Sequence, residues 1–217
     1  MIQLDNVTKE YRLKNGQVKS ILRNLSIELP ERNIAILGRN GMGKSTLLRM
    51  IAGIEDPDNG QIITKKRLSW PIGFRGSFHS ELTGLENVKF VARIYGQDTD
   101  RIVEYVEEFA EIGAFFREPY KTYSSGMGAR LAFGLSMAIN FDVYLIDELM
   151  SVGDAQFQKK SKATFHGKLS GSKIIMVSHS MDALRDYCDC GIVIHNGTVL
   201  FSDSLEDAIS TYEAINK

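Results

Sequence analysis

Short apolar runs split by polar turns fill the first part of the chain. Ile2, Leu4 and Val7 form one such run, and Ile21, Leu25, Ile27 and Leu29 another. Lys14-Asn15-Gly16-Gln17 between them is a good hairpin turn, so this region reads as strands. Ile34-Ala35-Ile36-Leu37 is uninterrupted and reads as a buried strand, with a helix over residues 46–52 behind it. Asp56-Pro57-Asp58-Asn59-Gly60 is a turn signal, after which Ile62-Ile63 opens another short strand.

From about Ile72 to Ala138 the pattern changes. Residues 85–95 and 100–113 carry apolar positions at spacings of three and four, which predicts helices. Ile102, Val103, Val106, Phe109 and Ala110 make the apolar face of the second. A third helix begins near Ser125 and runs through Leu131, Leu135 and Ala138. Strand–helix alternation then resumes: strand 143–146, helix 155–169, strand 174–177, helix 181–187, strand 192–194, helix 205–215. Such alternation predicts an α/β fold with a mainly parallel sheet. The expected organisation is one domain, with residues 1–71 and 139–217 as a core and residues 72–138 as an inserted helical lobe. No internal repeat or low-complexity linker interrupts it.

Composition narrows the class. A chain of 217 residues with 43% hydrophobic and 24% charged residues suits a globular protein with a sizeable core. The formal net charge of −1 gives no global field for nucleic acid or an anionic membrane. No stretch approaches the length of a membrane span, and the N-terminus lacks the basic-then-apolar order of a signal peptide. Cys188 and Cys190, with no second Cys or His pair at ligand spacing, read as reduced buried thiols.

The strongest chemical signal is Gly38-Arg39-Asn40-Gly41-Met42-Gly43-Lys44-Ser45-Thr46, a G-x-x-x-x-G-K-[ST] phosphate-binding loop between the 34–37 strand and the following helix. Its glycines let backbone N–H groups approach phosphate oxygens, and the helix N-terminus points a positive dipole end at the same anion. Lys44 is placed for the β/γ-phosphates and the Ser45 hydroxyl for Mg²⁺. The loop alone leaves ATPases, GTPases and kinases open, although no internal N-K-x-D guanine-selecting motif occurs. Val143-Tyr144-Leu145-Ile146 ends in Asp147-Glu148. Ligands gather at the carboxyl ends of strands in such sheets, so Asp147 is a candidate Mg²⁺ ligand and Glu148 a candidate general base for water. At Ser124-Ser125-Gly126-Met127 a small-residue loop opens a helix. Taken alone, an ordinary N-cap is the better reading there.

The order of these segments carries a resemblance. Ser124-Ser125-Gly126 precedes the Asp147-Glu148 strand, Ser151-Val152-Gly153-Asp154 follows it, and Val177-Ser178-His179-Ser180 follows the next. This order resembles the ATP-binding subunits of ABC transporters over essentially the whole chain. The resemblance implies a P-loop NTPase (RecA-like) core with an N-terminal antiparallel β subdomain and an inserted helical subdomain. It implies a head-to-tail homodimer in which Ser124, Ser125 and Gly126 meet ATP on the opposite loop, Asp154 couples the sites, and His179 touches the γ-phosphate of its own site. Tyr11 matches the aromatic that stacks on adenine. A lone histidine or a strand tyrosine would otherwise be structural.

Ser69-Trp70-Pro71-Ile72-Gly73, Leu82-Thr83-Gly84-Leu85-Glu86-Asn87-Val88 and Val152-Gly153-Asp154-Ala155-Gln156-Phe157 narrow the resemblance to the polysaccharide-export branch, nearest to Gram-negative group 2 capsule exporters. Those are short subunits without an added carbohydrate-recognition domain, and this chain stops near Lys217. Implied partners are a polytopic membrane permease, with periplasmic and outer-membrane export components engaged indirectly, and no nucleic acid. The implied place is the cytoplasmic face of the inner membrane. Other exported substrates, such as O-antigen or teichoic acid, and a soluble non-transport ATPase are the alternatives. So is a module that closes on ATP but hydrolyses poorly. Ser125 and Met127 stand where that family usually has Gly and Gln, and no glutamine lies between Ile62 and Tyr95, where its Q-loop belongs. Phe74 and Phe78 in that segment are candidates either for the membrane partner or for local packing.

Overall fold

The computed structural model describes residues 1–72, 78–147 and 154–216. In chain order the elements are β1 (Ile2–Arg12), β2 (Val18–Leu29), β3 (Ile34–Leu37), α1 (Lys44–Ile51) and β4 (Asn59–Thr64). Helices α2 (Gly84–Ile94), α3 (Thr99–Ala110) and α4 (Ser125–Ala138) follow. Then come β5 (Val143–Asp147), α5 (Ala155–Leu169), β6 (Lys173–Val177), α6 (Met181–Tyr187), β7 (Cys190–His195), β8 (Thr198–Ser202) and α7 (Leu205–Asn216). They group into two units. The first takes in Met1–Pro71, Asp142–Leu149 and Ser172–Lys217, the second Ile72–Phe141 and Met150–Gly171.

Two sheets build the first unit. β1 and β2 form the expected hairpin, closed where Leu13 N–H donates to the Gln17 carbonyl (2.8 Å). β4 pairs antiparallel with the other edge of β1, giving the order β2-β1-β4. This strand begins inside the segment read as a turn, because Asn59 already pairs with Thr8. The second sheet has the order β5-β6-β3-β7-β8, parallel except for β8. Neighbouring strand residues face opposite ways. Ile34 and Ile36 therefore join Leu4, Leu22, Leu47 and Leu145 in one core between the sheets and α1. On the opposite face α7 packs against β7. A Cβ on Gly191 would lie only 2.6 Å from the Ala208 methyl.

β8 is absent from the sequence expectation. Asn196 and Gly197 both take left-handed φ (48° and 83°) and form a two-residue turn that pairs His195 with Thr198. Asn-Gly is the strongest short hairpin signal, so the sequence does hold this information. Cys188 and Cys190 are free and buried, as expected. Burial pushes the Cys188 thiol up to about 12, so it stays protonated.

The second unit is helical. α2 opens with a capping box, in which Thr83 and Glu86 satisfy each other's backbone N–H groups. Asn87 is 1% exposed and ties down the preceding loop. Its side chain accepts from His79 N–H (2.8 Å) and donates to the carbonyls of His79, Leu82 and Thr83. Phe109 sits at the centre of this unit, with its ring 5.7 Å from Phe133 and 5.5 Å from Phe157. α3 stops at Ala110, short of the expected end at residue 113, because Glu111 takes a left-handed φ of 51°. Gly113–Arg117 and Tyr120–Thr122 continue as 3₁₀ turns that the sequence reading lacks. Phe78 is half-buried, with its ring 5.1 Å from that of Tyr120. Phe74 lies outside the described residues. Among the described residues no helix is long and apolar enough to cross a membrane.

Leu145 is fully buried at the centre of the first unit's core. Leu145→Ala should lower unfolding free energy by about 2–5 kcal/mol, read as a fall in the urea midpoint at unchanged slope.

Candidate functional site

The glycine-rich loop leaves β3 and returns as α1. Gly43 ends it at φ +100°, a conformation that side chains rarely adopt. A Cβ there would lie 2.1 Å from Ile21 Cγ2 on β2, so the loop is seated directly against the antiparallel sheet. Gly38 similarly passes within 2.9 Å, measured from an added Cβ, of the Ile194 carbonyl oxygen. Lys44 starts α1 and is only 8% exposed. Its ammonium donates to the carbonyls of Gly38 (2.7 Å) and Arg39 (3.2 Å). No side chain caps the first turn of α1. By contrast α2, α3, α4, α5 and α6 are capped by Thr83, Asp98, Ser124, Asp154 and Ser180.

A cleft of about 790 Å³ opens at this loop, inside the range of small-molecule pockets, about 300–1,000 Å³. Asn40, Gly41, Gly43, Lys44, Ser45 and Thr46 line it, whereas Gly38, Arg39 and Met42 lie off its wall and Met42 packs on the core. Two predicted residues from distant strands join them: Asp147 at the end of β5 and His179 just after β6. Asp147 and Val177 are register partners, which brings the two strand ends level. The turn bearing His179 is held by its neighbours, since Ser178 Oγ accepts from Ser180 N–H (3.1 Å) and Ser180 Oγ from Ala183 N–H (3.2 Å). Glu148 lies outside the described residues.

Tyr11 also lines the cleft, and its hydroxyl donates to Glu55, a residue no motif singled out. Lys19 on β2 is a further cation on the wall that sequence reasoning missed.

In the second unit Ser124 acts as the cap of α4, accepting from Met127 N–H (3.2 Å), and Ser125 and Gly126 form the first turn. The capping expectation therefore holds. Asp154 caps α5 through Phe157 N–H (2.9 Å) and pairs with Arg130 of α4 (2.8 Å). Arg130 also lies 4.4 Å above the Phe157 ring and 3.7 Å from Glu111. That carboxylate in turn pairs with Lys160 (2.6 Å). The Phe157 N–H bond, and after it Arg130, holds the Asp154 carboxyl below its ordinary value of 3.8.

Oxygen donors suit the group that the loop implies. Ser45 and Asp147 offer a hydroxyl and a carboxylate, the hard ligands of Mg²⁺, which keeps waters and phosphate oxygens for its other positions. Among the described residues no cluster of three or more His, Cys, Asp or Glu could hold a metal by itself. The donor set therefore fits a metal brought in with a phosphate chain.

A family model described as ABC transporter matches residues 22–151. Two Escherichia coli proteins described as polysialic acid transport ATP-binding protein KpsT are 48% and 51% identical over 217 residues. These matches cover 98% of this chain and 96% and 99% of theirs. The capsule polysaccharide export ATP-binding protein CtrD of Neisseria meningitidis serogroup B is 43% identical, over 99% of this chain and 100% of its own. Among solved structures, a dimeric ATP-binding cassette in a post-hydrolysis state with ADP and Pi superposes with a TM-score of 0.75 at 22% identity. The match covers 94% of this chain and 98% of that one. It shows the fold.

Two outcomes follow from the geometry. Gly43→Ala must strain its φ or push Ile21 away, so affinity for a fluorescent ATP analogue should fall about tenfold or more, matching a strain of roughly 1–3 kcal/mol. Because the folded Asp154 carboxyl is depressed, its contribution is present above 3.8 and lost as pH falls through the folded value. Asp154→Asn should therefore show a flatter loss of stability below pH 4 than the wild type, in urea titrations at stepped pH.

Proposed function

The chain belongs to the ABC transporter family, and on that premise we propose that it is the ATP-hydrolysing subunit of an exporter of capsular, or related lipid-linked, polysaccharide. The observation that carries the substrate class is the likeness to the polysialic acid and capsule export proteins, which extends over nearly the whole of both chains. The cleft supports the chemistry: a phosphate loop, a strand-end carboxylate and a histidine share one wall.

In this reading the loop backbone and the uncapped N-terminus of α1 receive the β- and γ-phosphates, and Lys44 exchanges its loop carbonyls for phosphate oxygens. Ser45 and Asp147 hold Mg²⁺, which when bound neutralises the phosphate chain. Tyr11 stacks on adenine. Glu148 takes the proton of the attacking water, and His179 donates to the γ-phosphate as charge grows there.

Two copies work head to tail. Ser124, Ser125 and Gly126 of the helical lobe close on the ATP of the other copy, and Asp154 links the two sites. A polytopic permease takes up the motion and holds the dimer at the cytoplasmic face of the inner membrane.

Glu148→Gln separates this enzyme from a binding module. Its steady-state ATPase should fall at least about 100-fold, within the range for losing a general base, while ATP-dependent dimerisation remains. Equal, negligible rates in wild type and variant would remove the enzymatic reading. Lys44→Ala should abolish surface polysaccharide when it replaces the wild type in a producing cell. Polysaccharide retained at the wild-type level would remove the export reading.

A further inference from the structure

Glu55 belongs to no nucleotide-binding motif, yet it is the hub of a polar cluster at the edge of the cleft. Tyr11 Oη donates to its Oε1 (2.5 Å), Arg49 Nε donates to its Oε2 (3.0 Å), and Lys9 Nζ lies 3.2 Å from Oε1. Lys9 is 8% exposed and also donates to the Asp56 carbonyl (2.8 Å). Arg49 Nη2 reaches both Thr46 Oγ1 (3.2 Å) and Tyr11 Oη (3.4 Å). The cluster thus links β1, which carries the aromatic, to the first turn of α1, which carries the phosphate loop. Burial is the largest influence on the Glu55 carboxyl and pushes it up. The bonds from Tyr11, Arg49 and Lys9 together outweigh burial and hold it below its ordinary value of 4.5.

A tyrosine ring has two torsions. One end of Tyr11 is fixed by the strand pairing of β1, where Tyr11 is opposite Lys19, and the other by Glu55. Lys9 Nζ lies over the ring, 5.6 Å from its centroid. A ring tethered at both ends loses no further rotamer freedom when a flat base stacks on it, which is how preorganisation raises affinity. We propose that Glu55 is a positioning residue for the nucleobase: it fixes the plane of Tyr11 through the hydroxyl and sets that ring at a constant distance from the phosphate loop through Arg49. This rests on reading Tyr11 as the adenine platform.

The role has a signature that general destabilisation lacks, because it concerns the base and not the phosphates. Binding of ATP and of inorganic tripolyphosphate would be compared by titration calorimetry in wild type, Tyr11→Ala, Tyr11→Phe, Glu55→Ala, Glu55→Gln and Tyr11→Phe/Glu55→Ala. Glu55→Ala should weaken ATP about fivefold to tenfold, the lower end of the worth of one aromatic–base stack, and leave tripolyphosphate within about twofold. Glu55→Gln, whose amide oxygen still accepts from the hydroxyl, should recover most of the loss. In the Tyr11→Phe background Glu55→Ala should add nothing, since the bond it serves is already gone.

ATP binding unchanged in Glu55→Ala, or equal losses for both ligands, would overturn the proposal while Tyr11→Ala still loses ATP selectively. If Tyr11→Ala itself keeps wild-type ATP affinity, the adenine-platform reading fails and the role of Glu55 falls with it.

Discussion

A buried ammonium has to be solvated by something, and that requirement shapes the site. Lys44 is nearly removed from water, so the loop in front of it turns the carbonyls of Gly38 and Arg39 inward. Gly41 and Gly43, both in the left-handed region, then curl the loop back into α1. Gly43 then fits against Ile21 with no room for a methyl group. The desolvated charge thus lies within the curve of the loop, and the loop is seated on the antiparallel sheet.

Helix ends follow a division of labour. Five helices satisfy their first turn with a hydroxyl or carboxylate of their own, and α1 alone among those with a described cap relies on a glycine. Side-chain caps add stability, and their absence at α1 leaves its N–H groups directed at the cleft. The same economy appears around Phe109 and Phe157. There Arg130 and Lys160 each serve as an ion-pair partner and as a cation over a ring, so that two aromatic residues hold three helices together.

Periodicity made most of this legible. Strands buried on both faces, such as Ile34–Leu37, and helices with a spaced apolar face, such as α3, announce themselves within a short window. The phosphate loop is legible for the same reason, since all its parts are contiguous. Tyr11 with Glu55, Arg130 with Asp154 and Asn87 with His79 are different in kind. Each is a pair whose meaning lies in the partner, and Tyr11 and Glu55 stand 44 positions apart. β8 is passed over although Val199-Leu200-Phe201 is a short apolar run, because it is an edge strand whose residues are exposed or half-buried and it marks no core face. The Asn196-Gly197 turn in front of that run is the sharper signal. The end of α3 was overrun because apolar spacing continues past Glu111, while the backbone does not.

The order of strands has a consequence for how the chain is made. β3 lies in the middle of its sheet, and its two neighbours are β6 and β7, so Ile34 pairs with both Ile175 and Cys190. No earlier segment supplies a parallel partner. On a ribosome adding roughly 5–20 residues per second, β3 is therefore exposed with both edges unpaired for on the order of ten seconds before β6 emerges. The hairpin of β1 and β2 is complete long before that, and its apolar face is the surface available to shelter β3 meanwhile. The antiparallel hairpin is thus the one preformed apolar surface from the preceding chain that can cover the nascent central strand before it becomes the wall of a finished site.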